Sequence, residues 1–273
     1  ILAGLGFESR VLDPNDQISG RTWEVSAPSH RFDIAIEADL IEEISRVYGY
    51  NNLPVRTPTA SLRMLPRSES ELSLNRIREQ LVSRGWFEGI TYSFVDSELQ
   101  SKLTPSMDPI ELANPLSSDM SVMRNTIWTG LLNSLIYNVN RQEEQVKLFE
   151  SGLCFSRAHN RSILTLDDIE QVNKLAGVAC GRRESENWAN SSEFIDFYDV
   201  KGDVESVLAL SGTLENFTVS AINHPALHPA QSAIIKKNDV TVGYIGLLDP
   251  RIQRSLDVRH PIYLFEIELS FLI

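Results

Sequence analysis

Pro54, Pro58 and Pro66, with arginine, threonine and serine between them, most constrain the layout of this chain. Proline fixes φ and lacks the amide donor that a helix interior or a central strand needs, so the stretch can carry neither. It divides the sequence into a short first part, residues 1–55, a Pro-rich linker, 56–68, and a larger second part, 69–273.

In the first part, Ile1 to Phe7 reads as the end of an apolar helix closed by Gly4 and Gly6. Thr22 to Ala27 alternates like a strand, and Pro28 to Asp33 forms an irregular loop. A helix follows from about Ala38 to Val47, with Leu40, Ile41, Ile44 and Val47 at helical spacing and Gly49 as its stop. The second part opens with an amphipathic helix over Glu69 to Arg84, ended by Gly85. Strand-like segments come at 89–95, 145–150, 175–180, 233–236, 240–246 and 262–269, with helices around Thr126 to Arg141 and Val200 to Ser211. Strands so irregularly interrupted predict an α+β fold, a largely antiparallel sheet with helices on one face.

Composition narrows the function classes. A chain of 273 residues, 42% hydrophobic and 23% charged, can bury one large core or two smaller ones. A net charge of −12 repels phosphate backbones, so any RNA contact is local or made elsewhere. No run approaches the roughly 20 apolar residues that span a bilayer, and the opening Ile-Leu-Ala-Gly carries neither Met nor a basic signal region. The expectation is a soluble piece of something longer. Cys154 and Cys180 lie in apolar runs without metal-ligand spacing, as buried hydrophobes in a reducing cytoplasm would.

Asp39, Glu42 and Glu43 fall at i, i+3 and i+4 on one helical face, and Asp33 lies where the preceding loop can bring it back. Clustered carboxylates suit a hard divalent cation such as magnesium, held directly or through water. The same pattern also fits a plain solvated face, since the dipole at a helix start favours acids. No Ser-His-Asp order, Gly-rich phosphate loop or nucleophile elbow occurs.

Three linked motifs from Pro28 to Pro54 carry a specific resemblance: Pro-Ser-His-Arg-Phe-Asp-Ile, Glu-Ala-Asp-Leu-Ile-Glu-Glu-Ile and Tyr-Gly-Tyr-Asn-Asn-Leu-Pro. Together they resemble the small winged-helix-like domain that precedes the core of bacterial-type phenylalanyl-tRNA synthetase β subunits. Asn114 to Leu132, Leu148 to Phe155 and Gly243 to Pro250 are similar to that family's core, so the likeness runs over essentially the whole chain. Two positions depart from it: His30 stands for an aromatic residue, and Trp128-Thr for a Leu-Pro pair.

The resemblance implies a partial winged-helix-like domain followed by a domain folded like a class II aminoacyl-tRNA synthetase core that has lost its active-site residues. It implies catalysis by an α subunit, in a heterotetramer that joins phenylalanine to tRNA through an adenylate made from ATP. Transfer RNA is expected to be bound mainly by parts outside this chain. By the same resemblance, Asp33, Asp39, Glu42 and Glu43 are the ligands of a magnesium ion shared with the α subunit.

A polyphosphate needs matched cationic donors. Where the family's catalytic relatives place them, this sequence has Lys147 before Leu-Phe-Glu150, and Asp249-Pro-Arg251 in the late segment. Arg251 reads as a phosphate ligand or as a surface residue, and Arg124 as a partner of Glu150 or of another subunit. His224 and His228, each followed by proline, read as structural or as part of a vestigial pocket. The rival reading is a free-standing degenerate synthetase-like interaction or regulatory module; a catalytic variant of the same fold comes third.

Overall fold

The computed structural model describes residues 1–12, 22–61, 72–157, 168–184, 187–189 and 192–272. The chain forms two compact units, residues 1–66 and 67–273, dividing inside the proline stretch.

The first unit opens with a single 3-10 turn, Leu2–Leu5, where the sequence suggested a helix end. Gly6 closes it at φ 85°, a left-handed conformation that glycine adopts without steric cost. Strands β1 (Glu8–Val11) and β2 (Trp23–Ser26) pair antiparallel, Glu8 opposite Ser26. Helix α1 (Glu37–Tyr48) lies within a residue of its expected bounds and stops at Gly49.

In the second unit α2 spans Leu74–Ser83, and the expected residues 69–71 of this helix lie outside the described ones. Strand β3 (Phe87–Glu88) and strand β4 (Phe94–Val95) replace the single strand expected over 89–95. The reason is a contact distant in sequence. The amide and hydroxyl of Thr91 are both taken by the Glu150 carboxylate, at 3.2 and 2.7 Å, which holds the backbone out of a ladder. Then follow α3 (Ser97–Leu103), β5 (Ile110–Glu111), β6 (Val122–Met123), α4 (Trp128–Val139), β7 (Gln145–Arg157) and β8 (Ile169–Gly181). The chain ends with α5 (Phe197–Leu208), β9 (Phe217–Ala221), β10 (Leu227–Lys237), β11 (Val240–Leu248), α6 (Pro250–Ser255) and β12 (Ile262–Glu268).

A seven-stranded sheet in the order β3-β7-β8-β12-β11-β10-β9 forms the body, antiparallel except where β3 runs parallel to β7. A small separate sheet, β4-β6-β5, lies beside β7, whose Phe155 amide donates to the Arg124 carbonyl just after β6. Asn238 and Asp239, both at positive φ, make the tight turn from β10 to β11, as a two-residue hairpin of right-twisted strands requires.

Helices cover both faces of the large sheet, which corrects the one-face expectation. Along β12, Tyr263, Phe265 and Ile267 enter one buried cluster with residues of α2 and α5, while Ile262 and Leu264 enter the other with residues of α3, α4 and α6. Strands buried on both sides read as near-continuous apolar runs, so Leu175–Cys180 and Ile262–Phe265 show no alternation to reveal a wet face. In the first cluster the rings of Trp86 and Phe265 meet edge-on at 5.4 Å. Gly177 lies beneath them: a Cβ there would stand 2.3 Å from Phe265 and 2.8 Å from Trp86.

Candidate functional site

The acidic segment of the first unit folds around an arginine. Arg31, on the loop before α1, sets its fork on Asp33, with Nε 3.0 Å from Oδ1 and Nη2 2.7 Å from Oδ2. Its remaining nitrogen, Nη1, donates to Glu43 Oε2 at 3.1 Å. Arg46, one turn along α1, donates to the same Glu43 oxygen at 2.8 Å and to the other at 3.3 Å. The Arg31 guanidinium also lies 5.5 Å from the ring centroid of the buried Phe7, a cation–π contact.

These contacts set the local electrostatics. Hydrogen bonds from Arg31 hold the Asp33 carboxyl down at about 2. Arg46 and then Arg31 do the same for Glu43, also at about 2. Asp39 is lowered by the amides of Ala35 and Ile36, each 2.8 Å from its Oδ2, and so, from the third position of α1, satisfies the free amides at the helix start. Glu42 is exposed on the helix.

Of the four residues expected to hold magnesium, Asp33 and Glu43 are therefore brought together through a guanidinium, and Asp39 faces backbone donors. Among the described residues, no group of three or more histidines, cysteines and acids is arranged to hold a metal ion. Magnesium demands near-octahedral oxygen at about 2.0–2.1 Å. The arrangement described does not fit it, because the oxygens it would need are aimed at Arg31 and Arg46. The Arg46 pairing had a sequence signal, since Arg46 stands three residues after Glu43 on one helix; the reach of Arg31, on a loop, to Glu43 twelve residues away had none.

In the second unit a row of charges sits on one sheet face, each closed on an internal partner. Arg124 Nη1 meets Glu150 Oε1 at 2.6 Å, and its Nε donates to the carbonyl of Leu153 at 2.9 Å. Gly152 makes room for it, since a Cβ there would stand 2.2 Å from Arg124 Nη2. Nearby, Lys174 Nζ meets Glu266 Oε2 at 2.7 Å, and the other Glu266 oxygen accepts from the Thr126 hydroxyl and the Ile127 amide, just before α4. Burial, the largest single influence, pushes the Lys174 ammonium down; the charge and hydrogen bond of Glu266, with smaller help from Cys154 and Glu268, together outweigh it, and the lysine ends above its ordinary value. This pair, 92 residues apart, has no local sequence signal.

On the opposite face Asp203 of α5 accepts from Trp86 Nε1 at 2.7 Å and pairs with Arg84, with Lys147 Nζ at 3.9 Å. Arg251 is paired with Asp249 at 3.0 Å while remaining largely exposed. Arg124, Lys147 and Arg251, the three cations weighed as ligands or contacts, are thus in internal ion pairs. His224 stacks obliquely on Tyr244 and edge-on to Trp128, and burial lowers its pKa. His228 accepts from the Ala230 amide at 3.1 Å. Both act as local structure.

Comparison with known proteins follows this division. Residues 1–50 match the model of the tRNA synthetase B5 domain, and residues 53–269 that of the phenylalanyl tRNA synthetase beta chain CLM domain. The chain is 48% identical over 248 residues to the phenylalanine–tRNA ligase beta subunit of Pseudomonas putida, covering 91% of this chain and 30% of that protein. It is 44% identical over 270 residues to that of Pseudoalteromonas translucida, covering 99% and 33%. The chain thus spans about a third of the length of these relatives. Among solved structures, a pyrrolysyl-tRNA synthetase from Desulfitobacterium hafniense superposes with a TM-score of 0.52 at 13% identity, over 72% of this chain and 65% of that one. At that identity the likeness concerns the fold alone. No helix among the described residues is long and apolar enough to cross a membrane.

Proposed function

This chain belongs to the phenylalanyl-tRNA synthetase β-chain family, and on that premise we propose that it is the part of a phenylalanine–tRNA ligase β subunit that supports the reaction without performing it. Its second unit is a class II synthetase-like core serving as scaffold for a catalytic α subunit, and its first unit is part of a winged-helix-like domain. The holoenzyme charges tRNA with phenylalanine at the expense of ATP, binding the tRNA mainly through other segments. It works in a reducing cytoplasm, which suits two free, buried thiols.

The observation that carries the non-catalytic reading is that Lys147 is buried beside Asp203 while Arg251, though exposed, holds its fork on Asp249 two residues before it. An ATP site in a core of this kind needs cationic donors turned toward its phosphates. Here those positions face the protein's own carboxylates. Magnesium at Asp33, Asp39, Glu42 and Glu43 is not part of this reading as the chain stands, because arginines already neutralise Asp33 and Glu43.

The test is phenylalanine-dependent ATP–pyrophosphate exchange by the reconstituted α–β holoenzyme, with the β chain carrying Arg251→Ala or Lys147→Met. Both variants are expected within about threefold of the unsubstituted rate. A fall of about a thousandfold with the complex intact, as loss of a transition-state charge partner produces, would overturn the proposal.

A further inference from the structure

We infer that Arg31 is the built-in counter-ion of the first unit, holding Asp33 and Glu43 where a divalent cation would otherwise have to stand, so that such an ion enters only by displacing it. The inference does not depend on the function proposed above. It rests on how completely the donors and acceptors are matched.

Arg31 spends its fork on both oxygens of Asp33 and its third nitrogen on Glu43. A planar guanidinium fits a carboxylate in this bidentate way, and a solvated lysine ammonium does not. Glu43 has both oxygens engaged by Arg46 and one also by Arg31, with its side chain only 11% exposed. Asp39 is turned to the two amides before α1. The contact with Phe7, itself 3% exposed, ties the guanidinium to the unit's interior.

A magnesium ion would need oxygens already aimed elsewhere and would sit beside two guanidinium groups, against like charge. The same carboxylates would recruit the ion readily once Arg31 was gone. An arginine in this place lets the acidic segment fold with its charges balanced before any ion or partner arrives.

The experiment is Mn2+ binding to the full β chain, followed by the electron paramagnetic resonance signal of the free ion. Unsubstituted protein is compared with Asp39→Asn/Glu42→Gln, which lowers the cluster's charge and leaves both arginines in place, and with Arg31→Gln, whose folding is checked by circular dichroism. The first two are expected to bind the same number of ions, and Arg31→Gln to gain a site about tenfold tighter than any in this region of the unsubstituted chain. Loss of a site in Asp39→Asn/Glu42→Gln would overturn the inference, as would a folded Arg31→Gln that gains none. Should Arg31→Gln fail to fold, the first comparison decides alone, and Arg31→Lys, which keeps the charge but loses the fork, is expected to gain the weaker form of the site.

Discussion

Arg124 donates to Glu150 at 2.6 Å with 4% and 3% of the two side chains exposed, so the charges meet almost entirely out of water. A pair this deep returns little net stability against a well-packed apolar substitute, but losing one partner strands the other. Arg124→Met or Glu150→Leu is expected to cost about 3–5 kcal/mol, and the two together less than their sum. Urea unfolding of the four proteins in a double-mutant cycle measures it, and strict additivity would contradict the finding.

Gly177 beneath the Trp86 and Phe265 rings gives a second prediction. The side chain of Gly177→Ala would overlap both rings. It is expected to cost about 1–3 kcal/mol or more by overpacking. Phe265→Leu is expected to relieve part of that cost, so the pair is less destabilised than the separate effects imply. Thermal unfolding of the two single variants and the double variant checks this.

The first unit should lose stability in acid over a defined window. Asp33 and Glu43 titrate at about 2 in the folded chain, below their ordinary 3.8 and 4.5. Folding therefore favours the deprotonated forms, so their contribution is complete above about pH 4.5 and disappears as the pH falls toward 2. Added salt should weaken it, since Asp33 is half exposed. Amide exchange across α1 against pH is the measurement; protection unchanged down to pH 2 would refute it.

The thiols of Cys154 and Cys180 are pushed up to about 12 by burial. Only about one in ten thousand is thiolate at pH 8, and neither is reached by solvent. A colourless disulfide reagent such as DTNB is expected to detect no fast thiol in the native chain and both on unfolding in guanidinium chloride. A fast-reacting native thiol would contradict the burial.

Much of this was legible in the sequence. Leu40, Ile41, Ile44 and Val47 marked α1, and the motif from Pro28 to Pro54 marked the family. The break between β3 and β4 was not, because it depends on Glu150, which lies 59 residues from Thr91. Nor was the second covered face of the sheet, since an apolar run such as Leu175–Cys180 looks the same whichever side it buries. The acidic cluster was visible as a set of residue types, whereas its internal pairing with Arg31 depends on where a short loop places one guanidinium.

The doubly covered sheet has a consequence for how the chain finds its own pairing. In a strand that is apolar on both sides, slipping by one residue exchanges one set of hydrophobic side chains for another and carries little penalty. On β12 the exception is Glu266, whose carboxylate meets Lys174 of β8 and the residues just before α4. One step out of register would take that carboxylate away from Lys174 and turn it toward the apolar cluster that holds Trp86, Leu175 and Ile245, where the nearby cations Arg84 and Lys147 are already paired with Asp203. Lys174 and Glu266 thus act as a checksum on strand alignment, rejecting the misaligned sheets that greasy neighbours would otherwise accept.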